Sequence, residues 1–389
     1  MATLSEKFEE FCTSLKADPP SWVRAEIDGA AGEVARQLAE AEAAGEEGLS
    51  APVDLDLRGN CLPERFSARL TSADCFPVAE ALRNDAYITS LDLGFNRLDD
   101  SGAAAVARLL GQNGALLNVN LEYNEVGGEG GKATAEALPK CTSLRQLVLR
   151  GNAMEDTAGV PIAHAINASS LELLDVSSCE LGLPSLVAMC MACESSDSKL
   201  SHLYMSNMRM RHNEAQKGVA LGRMLKLNNS LVCLDISKLQ LSNDDVGYLV
   251  KGLNENSTLK SLSLAGNKLA WQGSTLLANY LRENATLEEL DVSANELHDN
   301  GAFAFRETLI MNSTLLYLNL SNCGIKDEGL LAIAEGLSAN QSLEALHLWG
   351  NHFGQPSGQL FMSVAHQRED LRTDFLPYEV DGQILIARS

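Results

Sequence analysis

The chain has 389 residues, with 52 acidic against 30 basic side chains and a formal charge of −22 at pH 7, a balance that repels phosphate backbones and excludes nucleic acid as a partner. Its opening stretch, MATLSEKFEE, carries neither a basic region nor a long apolar run, so the expectation is an intracellular, cytoplasmic chain with no membrane partner. Nine cysteines, an odd number scattered through positions that read as core, point to reduced thiols rather than a disulfide framework.

In chain order, the first predicted element is a helix in LSEKFEEFCTSLKA, where Leu4, Phe8, Phe11 and Leu15 mark one stripe. After Pro19 and Pro20 a second helical stretch carries Val34 and Leu38, so residues 1–50 read as a helical N-terminal cap. From 51 to 365 one frame recurs, L-x-x-L-x-L-x-x-N-x-L. Its anchor falls at Asn60, Asn96, Asn124, Asn152, Cys179, Met208, Leu239, Asn267, Asn295, Cys323 and Asn351. The step is 28 residues from Asn96 to Asn152 and again from Leu239 to Asn351.

Within each copy an alternating pair such as Leu290 and Val292 has the period of a strand buried on one face. The anchor Asn sits where the chain turns away, with an amide suited to unpaired backbone groups. Asp100, Asp156, Asn243, Asp299 and Asp327 each precede a helix-like run, the place of an N-cap. The runs themselves, such as GAFAFRETLIMN, present one apolar face. No single copy hides that face. Eleven stacked copies bury a continuous core, giving an α/β solenoid, a curved horseshoe with a parallel sheet on the concave face and helices on the convex one. In the tail, residues 366–389, FLPYEVDGQILIARS sets Asp381-Gly382 between apolar segments, the pattern of a hairpin-like cap.

The frame and period resemble the leucine-rich repeat, and the period with its long helix resembles the ribonuclease-inhibitor-like subclass. That resemblance implies the solenoid fold and leaves function open among inhibitors, GTPase activators, immune sensors and axonemal subunits. Pro377, Tyr378, Val380, Asp381 and Gly382 resemble the ending of the family called leucine-rich-repeat-containing protein thirty-four. This second likeness implies a setting in ciliated and germ-line cells, such as an axonemal complex.

Several motifs look chemical and read better as structure. Asn167, Asn228, Asn256, Asn284, Asn312 and Asn340 begin N-x-S/T triplets, but they recur with the repeat, as an Asn ending a helix before a turn would. GGEGGKAT at 127–134 lacks two positions of a phosphate loop, at Val126 and Ala133. Cys190 and Cys193 stand in a helix without a second pair, and His347 with His352 lacks a third metal ligand. No cofactor is expected, and no nucleophile has an adjacent base.

The expected function is therefore a non-enzymatic protein-interaction scaffold or adaptor whose partner is a protein or peptide. The acidic balance favours a basic partner or simply keeps a long solenoid soluble. Asp56, Asp92, Asp175, Asp235 and Asp291 form a broken acidic row on the sheet face. Tyr317, His347 and Trp349, with His352 at the rim, form the best candidate patch, since aromatic side chains carry interface energy disproportionately. Phe95 and Tyr123, read as lying on strands two and three, form a second. Tyr204, Arg209, Arg211 and Lys238 flank a fault in the frame, where Met208 and Leu239 replace Asn, and are expected to meet an acidic partner or mark a hinge. Two alternatives are a GTPase activator presenting Arg58, Arg97, Arg150 or Arg209, and an enzyme inhibitor.

Overall fold

Each period resolves into a short strand of three to five residues, a tight turn and a helix. The computed structural model describes residues 2–44, 48, 51–60, 63–210, 214 and 216–388. The chain divides into two units, Met1–Ala192 with Asp197–Leu200, and Cys193–Ser196 with Ser201–Ser389.

Unit one opens with α1 (Leu4–Leu15) and α2 (Ser21–Ala44), followed by β1 (Val53–Asp56), α3 (Pro63–Ser67), α4 (Ser72–Leu82), β2 (Ile88–Asp92) and α5 (Asp100–Leu110). It continues through β3 (Asn118–Asn120), α6 (Gly128–Ala137), β4 (Gln146–Val148), α7 (Glu155–Ala165), β5 (Leu173–Asp175) and α8 (Leu183–Cys193). Its strands pair in parallel, each with the next in the chain. In α1 the buried line is Leu4, Phe8 and Cys12, not the expected stripe: Phe11 is half-buried and Leu15 exposed. In α2 the buried residues are Val23, Ile27, Ala30, Gln37 and Ala41, with Val34 and Leu38 on the flank.

Unit two runs β6 (His202–Tyr204), α9 (Gln216–Leu227), β7 (Cys233–Asp235), α10 (Asn243–Leu253), β8 (Ser261–Ser263) and α11 (Trp271–Glu283). Next come β9 (Glu289–Asp291), α12 (His298–Met311), β10 (Tyr317–Asn319), α13 (Asp327–Ala339), β11 (Ala345–His347), α14 (Gln355–Gln367) and β12 (Arg372–Thr373). These strands too pair in parallel in chain order. A separate antiparallel hairpin, β13 (Phe375–Val380) and β14 (Gln383–Arg388), ends the unit. Its turn residues Asp381 and Gly382 have φ of 52° and 76°, the paired positive values of a type I′ turn.

Anchor asparagines join neighbouring repeats. Asn124 Nδ2 donates to the Leu121 carbonyl of its own strand at 3.0 Å and to the Leu93 carbonyl one repeat earlier at 2.9 Å, while Oδ1 accepts from the Leu98 amide at 3.0 Å. Asn96, Asn152, Asn267, Asn295 and Asn351 repeat the pattern. Cysteine supplies only the donor half, Cys179 Sγ to the Leu149 carbonyl at 3.1 Å and Cys323 Sγ to Val292 at 3.3 Å. Leu239 supplies neither half, and there Asn267 Oδ1 takes the amides of both Leu239 and Leu241. The fully buried Lys217 meets the carbonyl of Gln240 at 2.5 Å beside Leu239.

A second ladder runs along the helix-to-strand corner. Asn256, Asn312 and Asn340 each donate to two carbonyls of the preceding repeat and accept from the amides two and three residues on. These are residues of the N-x-S/T triplets, and their periodicity is this contact between repeats, not a local turn alone. At the next step of 28 stands Arg368, buried, whose guanidinium donates to the carbonyls of Asn340 and Leu343 at 2.8 and 2.7 Å.

The expected helix caps need correction, because they serve the next helix. The cap of α5 is Asp99, whose Oδ1 accepts from Ser101 and Gly102. Asp100 Oδ1 instead accepts from Gly127 at 2.7 Å and Gly130 at 2.9 Å, at the start of α6. Asp156, Asn243, Asp299 and Asp327 likewise reach forward to the helix one repeat on. The recipients that stand at the N-cap, Gly127, Ala270, Lys326 and Gly354, bring no capping side chain of their own.

Two outcomes follow from these contacts. Asp100→Ala is expected to cost about 1 kcal/mol, with hydrogen-exchange protection lost at the amides of Gly127 and Gly130 while Ser101 and Gly102 are unchanged. Asn124→Ala is expected to cost about 2–3 kcal/mol, since it orphans the buried Leu98 amide and takes one of two donors from the carbonyls of Leu93 and Leu121, which keep Asn96 and Asn152, against about 1 kcal/mol for Cys179→Ala; chemical-denaturation midpoints of the two variants compare them.

Candidate protein-binding face

On the sheet face of unit two, the first residue of successive strands runs Cys233, Ser261, Glu289, Tyr317, Ala345, and the third runs Asp235, Ser263, Asp291, Asn319, His347. Tyr317 and His347 meet on the diagonal: Oη lies 3.2 Å from Nδ1, and the rings pack edge to face with centroids 5.1 Å apart. Burial, reinforced by the charge of Asp291, raises the Tyr317 phenol above its usual pKa.

Trp349, two residues beyond His347, is half-buried, and the tail reaches it through Arg388, whose guanidinium lies 6.0 Å from the ring centroid. The backbone beneath it is held by Asp374, a residue that the sequence reading overlooked. Asp374 Oδ1 accepts from the amides of Leu348 at 2.7 Å and Trp349 at 3.1 Å, and Oδ2 accepts from Ser321 Oγ at 3.1 Å. One repeat earlier the amide of Leu320 finds the His347 carbonyl at 2.9 Å, so the carboxylate of Asp374, the residue just after the two-residue β12, takes the place of the backbone carbonyl at that step. His352 is exposed in the following turn, and only its backbone amide is tied down, to the Ile325 carbonyl at 2.9 Å.

Phe95 and Tyr123 are not on strands. Each stands in the turn just before an anchor Asn, with φ of 58° and 49°. Residues from Gly151 to Gly350 at the same place in the frame, including Lys238, share this left-handed conformation, with φ from 53° to 83°. For a residue with a Cβ it costs about 1–2 kcal/mol. The column aligns side chains over the next turn: Phe95 stacks on Tyr123 with centroids 4.8 Å apart, Tyr123 covers Gly151, and the stem of Lys238 covers Gly266. A Cβ at Gly151 would overlap the Tyr123 ring.

The other candidates separate. Tyr204 is half-buried, with its Oη 3.6 Å from Cys233 Sγ; Arg209 and Lys238 are exposed, and Arg211 lies outside the described residues. The acidic row is built into the turns: Asp56, Asp92, Asp175, Asp235 and Asp291 each accept the amide two residues on. Arg58 pairs with Asp92 at 2.5 Å, Arg97 with Glu125 at 3.3 Å and Arg150 with Asp175 at 3.0 Å. Among the described residues no group of three or more His, Cys, Asp or Glu is placed to hold a metal, and no helix is long and apolar enough to cross a membrane.

Burial pushes the thiols of Cys75, Cys179, Cys193 and Cys323 up to about 12. Among the described cysteines Cys233 alone is half-exposed, so although burial raises its thiol too, a reagent can reach it without the chain opening. A maleimide applied to the native protein near pH 7.5 is therefore expected to label Cys233 about tenfold or more faster than Cys75, as read by peptide mass spectrometry.

Comparison with known proteins bears on the repeat. A family model described as Leucine Rich repeat matches residues 84–107, 140–163, 283–305 and 312–334. No curated protein matches the chain. Among solved structures, leiomodin-1 actin-binding site 2 is similar at 20% identity over 41% of this chain and 91% of that one, with a TM-score of 0.35. The tropomodulin C-terminal domain from Caenorhabditis elegans is similar at 16% identity over 39% of this chain and 92% of that one, with a TM-score of 0.34. With the strand, turn and helix of each period, the matched segments make this an α/β fold of the leucine-rich-repeat solenoid type.

Proposed function

We propose that the protein is a non-enzymatic interaction scaffold that holds a protein or peptide partner on the sheet face of its second unit, around Tyr317, His347 and Trp349. The observation that supports this reading is the rigid mounting of those side chains. Tyr317 and His347 stand on paired strands and restrain one another at 3.2 Å, and Asp374 clamps the backbone of Trp349. Aromatic side chains ordered in advance lose little entropy on binding and dominate interface energies. Leucine-rich repeats suit such a role, since a row of equivalent strands presents many side chains at fixed spacing.

The activator reading has less support. It requires an arginine free to enter another protein's site, whereas Arg58 and Arg150 are held by the largely buried Asp92 and Asp175 of the neighbouring repeat; Arg97, in an exposed pair with Glu125, and the exposed Arg209 are the candidates that keep that reading open. The ciliary or germ-line setting is carried by the Pro377–Gly382 motif alone.

Cross-linking mass spectrometry of the native protein in cells, compared with Trp349→Ala combined with Tyr317→Ala, tests the proposal. The principal cross-links to partner proteins are expected to fall about tenfold or more while circular dichroism stays unchanged. Unaltered cross-links in the folded double variant would refute it.

A further inference from the structure

The helical face of unit two carries a second surface, independent of the aromatic patch. Although the chain as a whole is strongly acidic, residues 209–268 hold nine Lys and Arg against five Asp and Glu. Some of these cations gather beside an open groove of about 590 Å³ between α9 and α10. The helices meet closely there: a Cβ at Gly222 or Gly252 would overlap a backbone carbonyl of the facing helix, so the floor of the groove is bare backbone and glycine. Its walls are apolar and exposed, Val219 at 46% on α9 and Tyr248 at 43% on α10.

Around these walls stand Arg223, Lys226 and Lys251. Arg223 reaches Glu194 at 3.0 Å and Lys226 reaches Glu255 at 2.8 Å, both with the cation largely in solvent. The Lys226–Glu255 pair, exposed on both sides, is worth less than about 1 kcal/mol and exchanges readily for another carboxylate, whereas Glu194 is largely buried and holds Arg223 from one side only. Lys251 makes no ion pair among the described residues, and its ammonium lies 5.2 Å from the centroid of the Tyr248 ring. An apolar slot rimmed by three cations and one groove-lining carboxylate, Glu255, selects against the basic partner that the whole-chain charge favours.

We propose that this groove docks an acidic segment of a partner protein that presents an apolar side chain, with Val219 and Tyr248 receiving the side chain and Arg223, Lys226 and Lys251 pairing with flanking carboxylates. The volume suits one or two large side chains, and the positions are fixed: Val219, Arg223 and Lys226 lie at i, i+4 and i+7 of α9, facing Tyr248 and Lys251 of α10 and Glu255 just beyond its end. The occupant is an acidic amphipathic polypeptide, because the slot is narrow and apolar at its centre with charge only at its borders, unlike the continuous cationic tract that tracks a phosphate backbone.

The test uses the full chain and a fluorescein-labelled amphipathic helical peptide of Glu, Leu and Phe, read by fluorescence anisotropy. Expected are saturable binding that weakens with added salt, and a tenfold or greater loss in the combined variant Arg223→Glu and Lys251→Glu. Tyr248→Ala, which leaves the charges in place, should lose threefold or more, whereas Trp349→Ala should bind as the parent does. Thermal unfolding verifies that each variant is folded. No binding, equal binding of the peptide with Lys in place of Glu, or indifference to the Arg223 and Lys251 substitutions overturns the proposal. So does a preference for a single-stranded oligonucleotide or phosphatidylserine vesicles over the peptide. Because the aromatic patch is untouched, the Trp349 result separates failure here from failure of the scaffold reading.

Discussion

Within each unit a repeat leaves backbone groups that its neighbour satisfies, and the rest of the architecture depends on that debt passing from repeat to repeat. Buried amides and carbonyls without partners cost a few kcal/mol each, and a three-residue strand with a tight turn at each end has many of them. Asn124 ties the turn of its own repeat to the strand of the one before, Asn256 does the same at the opposite corner, and Asp100 caps a helix 28 residues away. A repeat taken out of the stack would lose buried Leu contacts and these hydrogen bonds together, which is why such modules fold cooperatively with their neighbours.

The same requirement explains how the stack ends. A last repeat has no successor, so its outward carbonyls and amides need substitutes. Arg368 stands at the position of the next corner asparagine and donates with two nitrogens, while Asp374 accepts the amides of Leu348 and Trp349. Opposite charges are used because one edge presents acceptors and the other donors. The candidate aromatic patch lies on this terminus, so the groups that close the sheet also fix the ring that would meet a partner.

Charge divides in a similar way between structure and recognition. The aspartates at the strand ends accept amides two residues on, and several also hold an arginine, so their periodicity follows from the turn. They are poor guides to a partner. More informative are charges the repeat does not require, namely Arg223, Lys226 and Lys251 on the outer sides of α9 and α10, where no backbone group needs them.

The period, the burial of the leucine slots and the alternation of strand with helix were legible in the residues, because a fixed apolar spacing has one geometric solution once each face must be covered. The hairpin turn was legible too, since Asp381-Gly382 tolerates consecutive positive φ values that most residues avoid. What the spacing did not reveal is where a side chain reaches. Asp100 reads as the cap of its own helix, yet the stacking of repeats brings the start of α6 within 2.7 Å of it and Asp99 takes the local role. Phe95 and Tyr123 read as strand residues, yet the left-handed turn before each anchor swings them into a column. Sequence alone determined the repeat and its core, because those depend on local periodicity. Tertiary structure decided the caps, the column and which side chains meet on the candidate faces, because each depends on a neighbour about one repeat distant whose position is set only when the repeats stack.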